Sequence, residues 1–269
     1  MAVSLSHLLS QRRYTRIPDV VIVSFCLFLL FVAHTVRTTW FPPPPPAIPP
    51  PSEKIPRALV LPKTRWENVQ WAYRLQPEWI PFVYSINEEP GFALRLPINR
   101  GREAMAYLTF IIDNYDTLPE IIAFVHGAHY QWHNDGVGSW TTAHLKNLYI
   151  STVERKGYVN LRCNPDPGCP ISVEPFRPTE EDIKNCDVRA NFPDIYMQLF
   201  NVTREEVPNR IAAVCCAQFA VSRNRIRQRP RSDYIRMRDW ALTAEFNSQA
   251  IGWLFEMIWH IIFQNDAVL

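Results

Sequence analysis

GREAMAYLTFIIDNYDTLPEIIAFVHGAHYQWHND, residues Gly101 to Asp135, carries a helix, a stop, a strand and a polar loop in succession. Ala104, Leu108, Ile111, Ile112 and Tyr115 recur at helical spacing and form one apolar stripe. Pro119 ends that helix, because a proline offers no amide donor and crowds the preceding turn. Ile121 to Val125 then read as a buried strand, and a helix running straight into a strand is the signature of parallel strands joined by helices. The expectation is an α/β fold with an open sheet.

Outward from this stretch the same rhythm continues. Further strands are predicted over Ala58 to Leu61, Ile80 to Ser85, Tyr158 to Leu161 and Ala213 to Val221. Thr179 to Asp182 form a capping-box pattern ahead of a short helix, and Pro230 sits at the first turn of a helix through Tyr234, Ile235 and Trp240. The last element, SQAIGWLFEMIWHIIF from Ser248, places Ile251, Leu254, Phe255, Ile258, Trp259 and Ile262 on one side, which predicts a buried helix.

The amino-terminal part is different in kind. Val20 to Val36 contains no Asp, Glu, Lys or Arg and would extend roughly 25 Å as a helix, the short end for a membrane span. Arg12, Arg13 and Arg16 precede it and Arg37 alone follows closely, so the positive-inside bias keeps the amino terminus cytosolic. Ala33-His34-Thr35 is a poor cleavage site, which sets an uncleaved anchor against the two rivals, a signal peptide and a soluble core helix. FPPPPPAIPPPSEK next to it should adopt an extended polyproline II stalk. The expected organisation is a cytosolic tail over 1–19, a transmembrane anchor over 20–36, a stalk over 37–56 and a lumenal domain over 57–269. That is a single-pass type II membrane protein of the secretory pathway.

With 269 residues and 47% hydrophobic content, the chain can bury a sizeable core. A net charge of +2 gives no global field to attract nucleic acid, and seven arginines between Arg223 and Arg238 are read mainly as a solvated face. Apart from Cys26, the cysteines lie beyond the proposed span, where an oxidising lumen allows disulfides. The loop LRCNPDPGCP predicts a bridge that includes Cys163 or Cys169; a zinc site is the rival use of these thiols. Asn201-Val202-Thr203 matches an N-glycosylation acceptor.

Chemistry is expected at the end of the strand that closes on Val125, since ligands in open α/β sheets bind outside the carboxyl ends of strands. His126, His133 and Asp135 at such density could hold a divalent metal, and the histidines could supply a proton to a leaving phosphate; His129 belongs to the same loop. The competing role for His126 is a bond to a neighbouring carbonyl. Arg102 and Glu103 open a helix whose free amides could hold an anionic group, although Glu103 also suits the helix dipole. Arg223, just past a strand, could face a phosphate. Glu256 and His260 share a face of the last helix and read as a base with its orienting partner, as two metal ligands or as a surface pair.

INRGREAMAYLTFIIDNYDTLPEIIAFVHGAHYQWHND, YVNLRCNPDPGCP, CCAQFAVSRNRIRQRP and FEMIWHIIF together resemble the fungal family catalogued as domain of unknown function 3431, over roughly Glu67 to Phe263. That family is similar to glycosyltransferases of the GT-A type, with a Rossmann-like sheet that binds a nucleotide sugar. The resemblance implies a sugar transferred to an unknown acceptor in the Golgi, in fungal secondary metabolism or cell-surface glycan synthesis, with manganese or magnesium as the metal. Glu256 or Asp135 is then expected as the acceptor base, and Arg102, Glu103, His126, His133 and Arg223 as substrate-binding groups. GT-A enzymes place an Asp-x-Asp motif after a central strand; here that strand end reads Val125-His126-Gly127, and the rival expectations are a non-catalytic membrane-tethered binding domain and a metal-dependent hydrolase or oxidoreductase built on the histidine cluster.

Overall fold

The structure is a computed structural model that describes residues 24–32, 57–87, 91–92 and 94–269. The expected tail over 1–19 and stalk over 37–56 lie outside the described residues. The chain divides into two compact units, Met1–Pro43 and Pro44–Leu269. In the first, residues 24–32 form helix α1, with Phe25, Leu27, Phe28, Leu30 and Phe31 each at least 60% exposed. Among the described residues, no helix is long and apolar enough to cross a membrane, and the rest of the 20–36 segment is outside them.

The second unit is a six-stranded sheet with helices on both faces. Its strands are β1 (Arg57–Lys63), β2 (Ile80–Ser85), β3 (Leu94–Arg95), β4 (Ile121–Phe124), β5 (Tyr158–Asn160) and β6 (Phe219–Ser222). The helices are α2 (Gln70–Tyr73), α3 (Glu103–Asp113), α4 (Thr141–Lys146), α5 (Ile150–Lys156), α6 (Glu180–Lys184), α7 (Phe192–Phe200), α8 (Arg223–Arg227), α9 (Arg231–Thr243) and α10 (Ser248–Ile262). The strand order is β3-β2-β1-β4-β6-β5. The first four in that order run parallel, whereas β6 is antiparallel to both β4 and β5. An all-parallel reading of the sequence therefore fails at one strand, with consequences for the site.

Alternate residues of each strand serve opposite faces, as the period of two requires. Ala58, Val60, Ile122, Phe124, Phe219 and Val221 meet α3, α7, α9 and α10, while Leu59, Leu61, Ile121, Ala123, Val125 and Ala220 meet α2, α4 and α5. Tyr107, Phe124, Phe219 and Trp259 interlock with ring centroids 4.8 to 5.9 Å apart. Such pairs add about 0.5 to 1.5 kcal/mol each beyond the area they bury.

Two expectations need correction here. Helix α3 is not amphipathic: every residue from Ala104 to Ile112 is buried, because α9 and α10 cover the side that turns away from the sheet. The strand predicted over Ala213 to Val221 begins only at Phe219, since Cys216 and Ala217 take positive φ values of 84° and 46° that no strand accommodates. Elsewhere the local chemistry behaves as the sequence suggests. The Thr179 and Asp182 capping box forms, Pro230 caps α9, and α10 buries all six of its predicted apolar residues.

Candidate functional site

Strand order reverses between β1 and β4: the chain builds outward from β1 through β2 to β3, then returns to lay β4 on the other side of β1. Loops leaving the carboxyl ends of these two strands diverge and open a crevice between them. That crevice has a volume of about 400 Å³. Thr64 and Glu67 enter it from the loop after β1, Arg102 and Glu103 from the start of α3, and His126, Gly127 and Gln131 from the loop after β4.

Each wall is built by local rules. The amide and hydroxyl of Thr64 donate to the Glu67 carboxylate at 2.7 and 3.0 Å, closing the turn that ends β1. A Cβ on Gly127 would lie 2.3 Å from the Pro62 carbonyl oxygen, so only glycine lets the loop after β4 leave so close to the end of β1. Trp71 Nε1 donates to the Gly127 carbonyl at 3.0 Å. Arg102 sits at the cap of α3 with φ of 54°, and its methylenes lie on Gly252 of α10, where a Cβ would approach within 2.9 Å. Gly101 donates its amide to Ser248 Oγ at 2.9 Å, which ties the crevice wall to the first turn of α10.

Charges in this region are held away from their ordinary states. Burial pushes Glu103 up to about 7, against the partial relief of its own backbone bond and of Arg102. Burial lowers His126 to about 4, opposed mainly by the Glu67 carboxylate. His133 also falls to about 4 through burial, the adjacent His126 and Arg162. The two imidazole rings stand edge to face with centroids 5.1 Å apart, and each has a buried Nε2 with no hydrogen-bond partner. Both are therefore neutral at pH 7. They can orient a ligand or share a proton, but they bring no positive charge to a phosphate.

Glu256 reaches the same region from α10. Its carboxylate accepts the Cys216 amide at 2.5 Å, and the Cys216 backbone in turn lies against His126. Burial and the neighbouring Glu103 raise the Glu256 carboxyl, while the Cys216 amide, Arg102 and Arg162 act in the lowering direction. Glu256 also borders a second cavity of about 280 Å³, shared with Ile171, Cys215, Trp253 and Met257.

Other predicted residues lie elsewhere or do other work. Asp135 spends its carboxylate on the loop after β5, accepting from the amides of Cys163 and Asn164 and from Arg162 Nε at 2.9 to 3.1 Å. Burial acts to raise its pKa, but those donors outweigh it and hold it below the usual carboxylate range. It joins neither His126 nor His133 in any ligand group of three among the described residues. His129 stacks on Trp71 at 4.9 Å and pairs with Thr142 Oγ1. His260 points Nε2 at the Ala267 carbonyl, 3.1 Å away, and lines neither cavity. Arg223 is at the opposite end of the sheet. Because β6 runs antiparallel, its final residue Ser222 pairs with Ile121 at the start of β4, so Arg223 lands beside Glu154 and far from His126. Asn201 is exposed at the left-handed cap of α7.

The same reversal of β6 brings in residues the sequence reading overlooked. Phe219 pairs with Phe124, so the segment just before Phe219 sits at the crevice end. It carries a bridge between Cys215 and Cys216, while Cys163, Cys169 and Cys186 are free thiols; the bridge expected at Cys163 or Cys169 falls elsewhere. Arg162, 8% exposed, contacts both bridge sulfurs at 2.6 and 3.3 Å as well as Asp135. It follows the carboxyl end of β5, so the strand-end rule that singled out His126 could have found it too. Tyr107, wholly buried, donates its hydroxyl to the Ala217 carbonyl at 3.2 Å beside Glu103 and Glu256.

Residues 59–269 match the family described as "Protein of unknown function (DUF3431)", and the chain belongs to that family. No curated protein and no solved structure matches it.

Proposed function

We propose that this chain is a membrane-anchored, glycosyltransferase-like protein that moves a sugar from a nucleotide-sugar donor to a hydroxyl of an acceptor. The observation that carries the reading is the crevice at the point where strand order reverses, the position at which open α/β sheets hold nucleotides. Arg102 is the cation that lines it among the described residues, and a guanidinium matches a diphosphate in charge and in geometry. Arg162 lends a second positive field from behind Glu256.

Glu256 is assigned as the base. Its raised pKa brings proton affinity closer to neutral pH, where a general base is most effective. In the reaction the acceptor oxygen forms a bond to the anomeric carbon as the bond from that carbon to the diphosphate breaks. The hydroxyl proton passes to Glu256, and the negative charge leaves on the diphosphate toward Arg102. The second cavity, with Trp253 and Met257 beside Glu256, is the place for the acceptor. Manganese or magnesium would want several free oxygen ligands. Glu67 is taken by Thr64 and Asp135 by the 162–164 loop, so these residues do not fit that metal and no step is routed through one. That Glu67 and Asp135 are already engaged favours a second reading, a tethered domain that binds the nucleotide without turnover.

The anchor belongs to the proposal as well: α1 exposes its apolar side chains within the basic-flanked 20–36 segment. In sealed microsomes the 57–269 domain should resist protease while a tag at Met1 is removed; digestion of the domain would reverse the orientation. Function is tested by thermal shift of the full chain with uridine, guanosine and adenosine diphosphates, with and without manganese. A diphosphate at 100 times its dissociation constant should stabilise by about 2.7 kcal/mol. If none shifts the transition at any concentration short of precipitation, the reading is wrong. Glu256→Gln should keep binding and abolish transfer; a wild-type chain that binds but never transfers would establish the second reading.

A further inference from the structure

We propose that Cys215 and Cys216 form a reversible redox pair whose reduced form, together with Glu256, is a binding site for a thiophilic divalent cation of the zinc class. The inference stands on the residues themselves and not on sugar transfer. Both sulfurs and a Glu256 carboxylate oxygen lie within 4.8 Å of one another, the single such grouping of three among the described residues. Two thiolates and a carboxylate suit a borderline-soft cation that takes tetrahedral nitrogen, sulfur and oxygen ligands, not the hard cations that want oxygen alone.

The surroundings favour both states. Cys215 borders the second cavity, so a small reductant can reach the bridge. Cys216 and Ala217 hold consecutive left-handed conformations, which are rare for non-glycine residues and cluster at functional sites. Arg162 places its guanidinium on both sulfurs and so stabilises them as thiolates once the bridge opens. That guanidinium is shared with the Asp135 carboxylate, so it offsets only part of the charge that two thiolates and the Glu256 carboxylate bring. Tetrahedral coordination at about 2.3 Å per thiolate sets the sulfurs roughly 3.7 Å apart, and the cavity beside Cys215 gives room for that separation. The fourth position opens toward the cavity, as in zinc sites that keep a place for water or substrate.

The chemistry is closed. A dithiol reductant breaks the bond between the two cysteine sulfurs by supplying two electrons and two protons, and its own sulfurs join in a new disulfide. When the cation binds, the two thiol protons pass to solvent. The Glu256 carboxylate then turns from the Cys216 amide to the metal, so the cation and a substrate proton would compete for one group; this last consequence alone rests on the function proposed above.

The test uses the full chain, as isolated and after reduction with dithiothreitol followed by anaerobic desalting, titrated with cobalt(II) as a spectroscopic stand-in for zinc. The reduced chain should develop a thiolate-to-cobalt charge-transfer band that saturates at one equivalent, and the unreduced chain should show none. A Cys163→Ser, Cys169→Ser, Cys186→Ser chain should keep the band, Cys215→Ser should lose it, and Glu256→Gln should weaken cobalt binding on the order of tenfold or more. Alkylation and mass mapping should show Cys215 and Cys216 blocked before reduction and open after it. No band in the reduced wild-type chain, a band that survives in Cys215→Ser, or free thiols at 215 and 216 before reduction would each overturn the proposal. Because the first comparison needs no variant, misfolding of a mutant cannot mask the result. Loss of nucleotide binding would sink the proposed transfer and leave this site standing.

Discussion

The two ends of the sheet are made from the same residue types and put them in opposite conditions. At the carboxyl end of β4, Glu103, His126, His133 and Glu256 all carry shifted proton affinities because loops and α10 close over them. At the other end, Arg223 and Glu154 border a cavity of similar size, and Arg223 donates to the Leu118 carbonyl at 3.3 Å while its amide bonds the Glu120 carbonyl. One end stores electrostatic cost; the other spends its polar groups on capping. Burial with incomplete pairing is what separates a candidate site from ordinary surface chemistry.

The sharpest way to break that contrast is to add a methyl group at each end. Gly127→Ala drives a Cβ against the Glu67 carboxylate and into the Pro62 carbonyl, which cannot retreat without distorting β1, and should cost about 3 kcal/mol. Gly157→Ala meets the Arg225 side chain, which can swing aside, and pays mainly for φ of +80°, about 1 to 2 kcal/mol. Denaturant unfolding of both variants decides; equal losses would mean that the crevice loops are no more tightly packed than the far turn.

Ligand affinity should divide the ends as cleanly. Arg102→Ala is expected to weaken a nucleoside diphosphate roughly 10- to 100-fold, the size of a lost charge-assisted hydrogen bond, and Arg223→Ala to leave it unchanged. Isothermal titration with the diphosphate that gives the largest thermal shift measures both. A loss at Arg223 would put the ligand at the wrong end of the sheet.

Acid and base should act on the crevice in opposite senses. His126 and His133 have lowered pKa values, so the stability they contribute is present above about 6.5 and is lost as pH falls toward about 4. Glu103 is raised, so its contribution is present below about 4.5 and is lost as pH rises through about 7. The two windows overlap and two histidines outweigh one carboxyl, so stability should rise from about pH 4, peak near 6.5 and fall toward 7. Glu103→Gln should remove the decline on the neutral side and leave the acid limb intact, which a set of melting curves from pH 4 to 8 would reveal. Persistence of the neutral decline in that variant would refute the burial of a protonated Glu103. The smallest effect is again at the far end, where Arg223→Ala should change unfolding free energy by no more than about 0.5 kcal/mol.

Periodicity and capping rules found most of the framework, because those signals are local. Ile80 to Ser85, the capping box at Thr179 and the buried face of α10 depend on neighbours a few residues away, and each forms as expected. Strand direction is a long-range property, and that is where the reading slipped. Taking β6 as parallel sent Arg223 to the crevice and left Cys215 and Cys216 out of the candidate site, whereas the antiparallel register exchanges them. Asp135 shows a second limit: nothing in HYQWHND reveals that a loop 28 residues later will claim its carboxylate. His126, Arg102, Glu103 and Glu256 were legible for a common reason, since each is a polar group set at the end or within the apolar run of a strongly periodic element.

The carboxyl-terminal residues do more than finish the chain. Val268 bridges to Ala212, with Ala212 donating to the Ala267 carbonyl and Leu269 donating back to Ala212, each at 2.9 Å. That clasp holds the strand of chain three residues ahead of Cys215, and the Ala267 carbonyl also anchors His260. A purification tag, an epitope or a fluorescent fusion attached at Leu269 would pull on this clasp directly. Binding curves collected with carboxyl-terminal labels will carry that perturbation into the cysteine pair and Glu256, and an internal label in the exposed 203–206 turn is the cleaner choice.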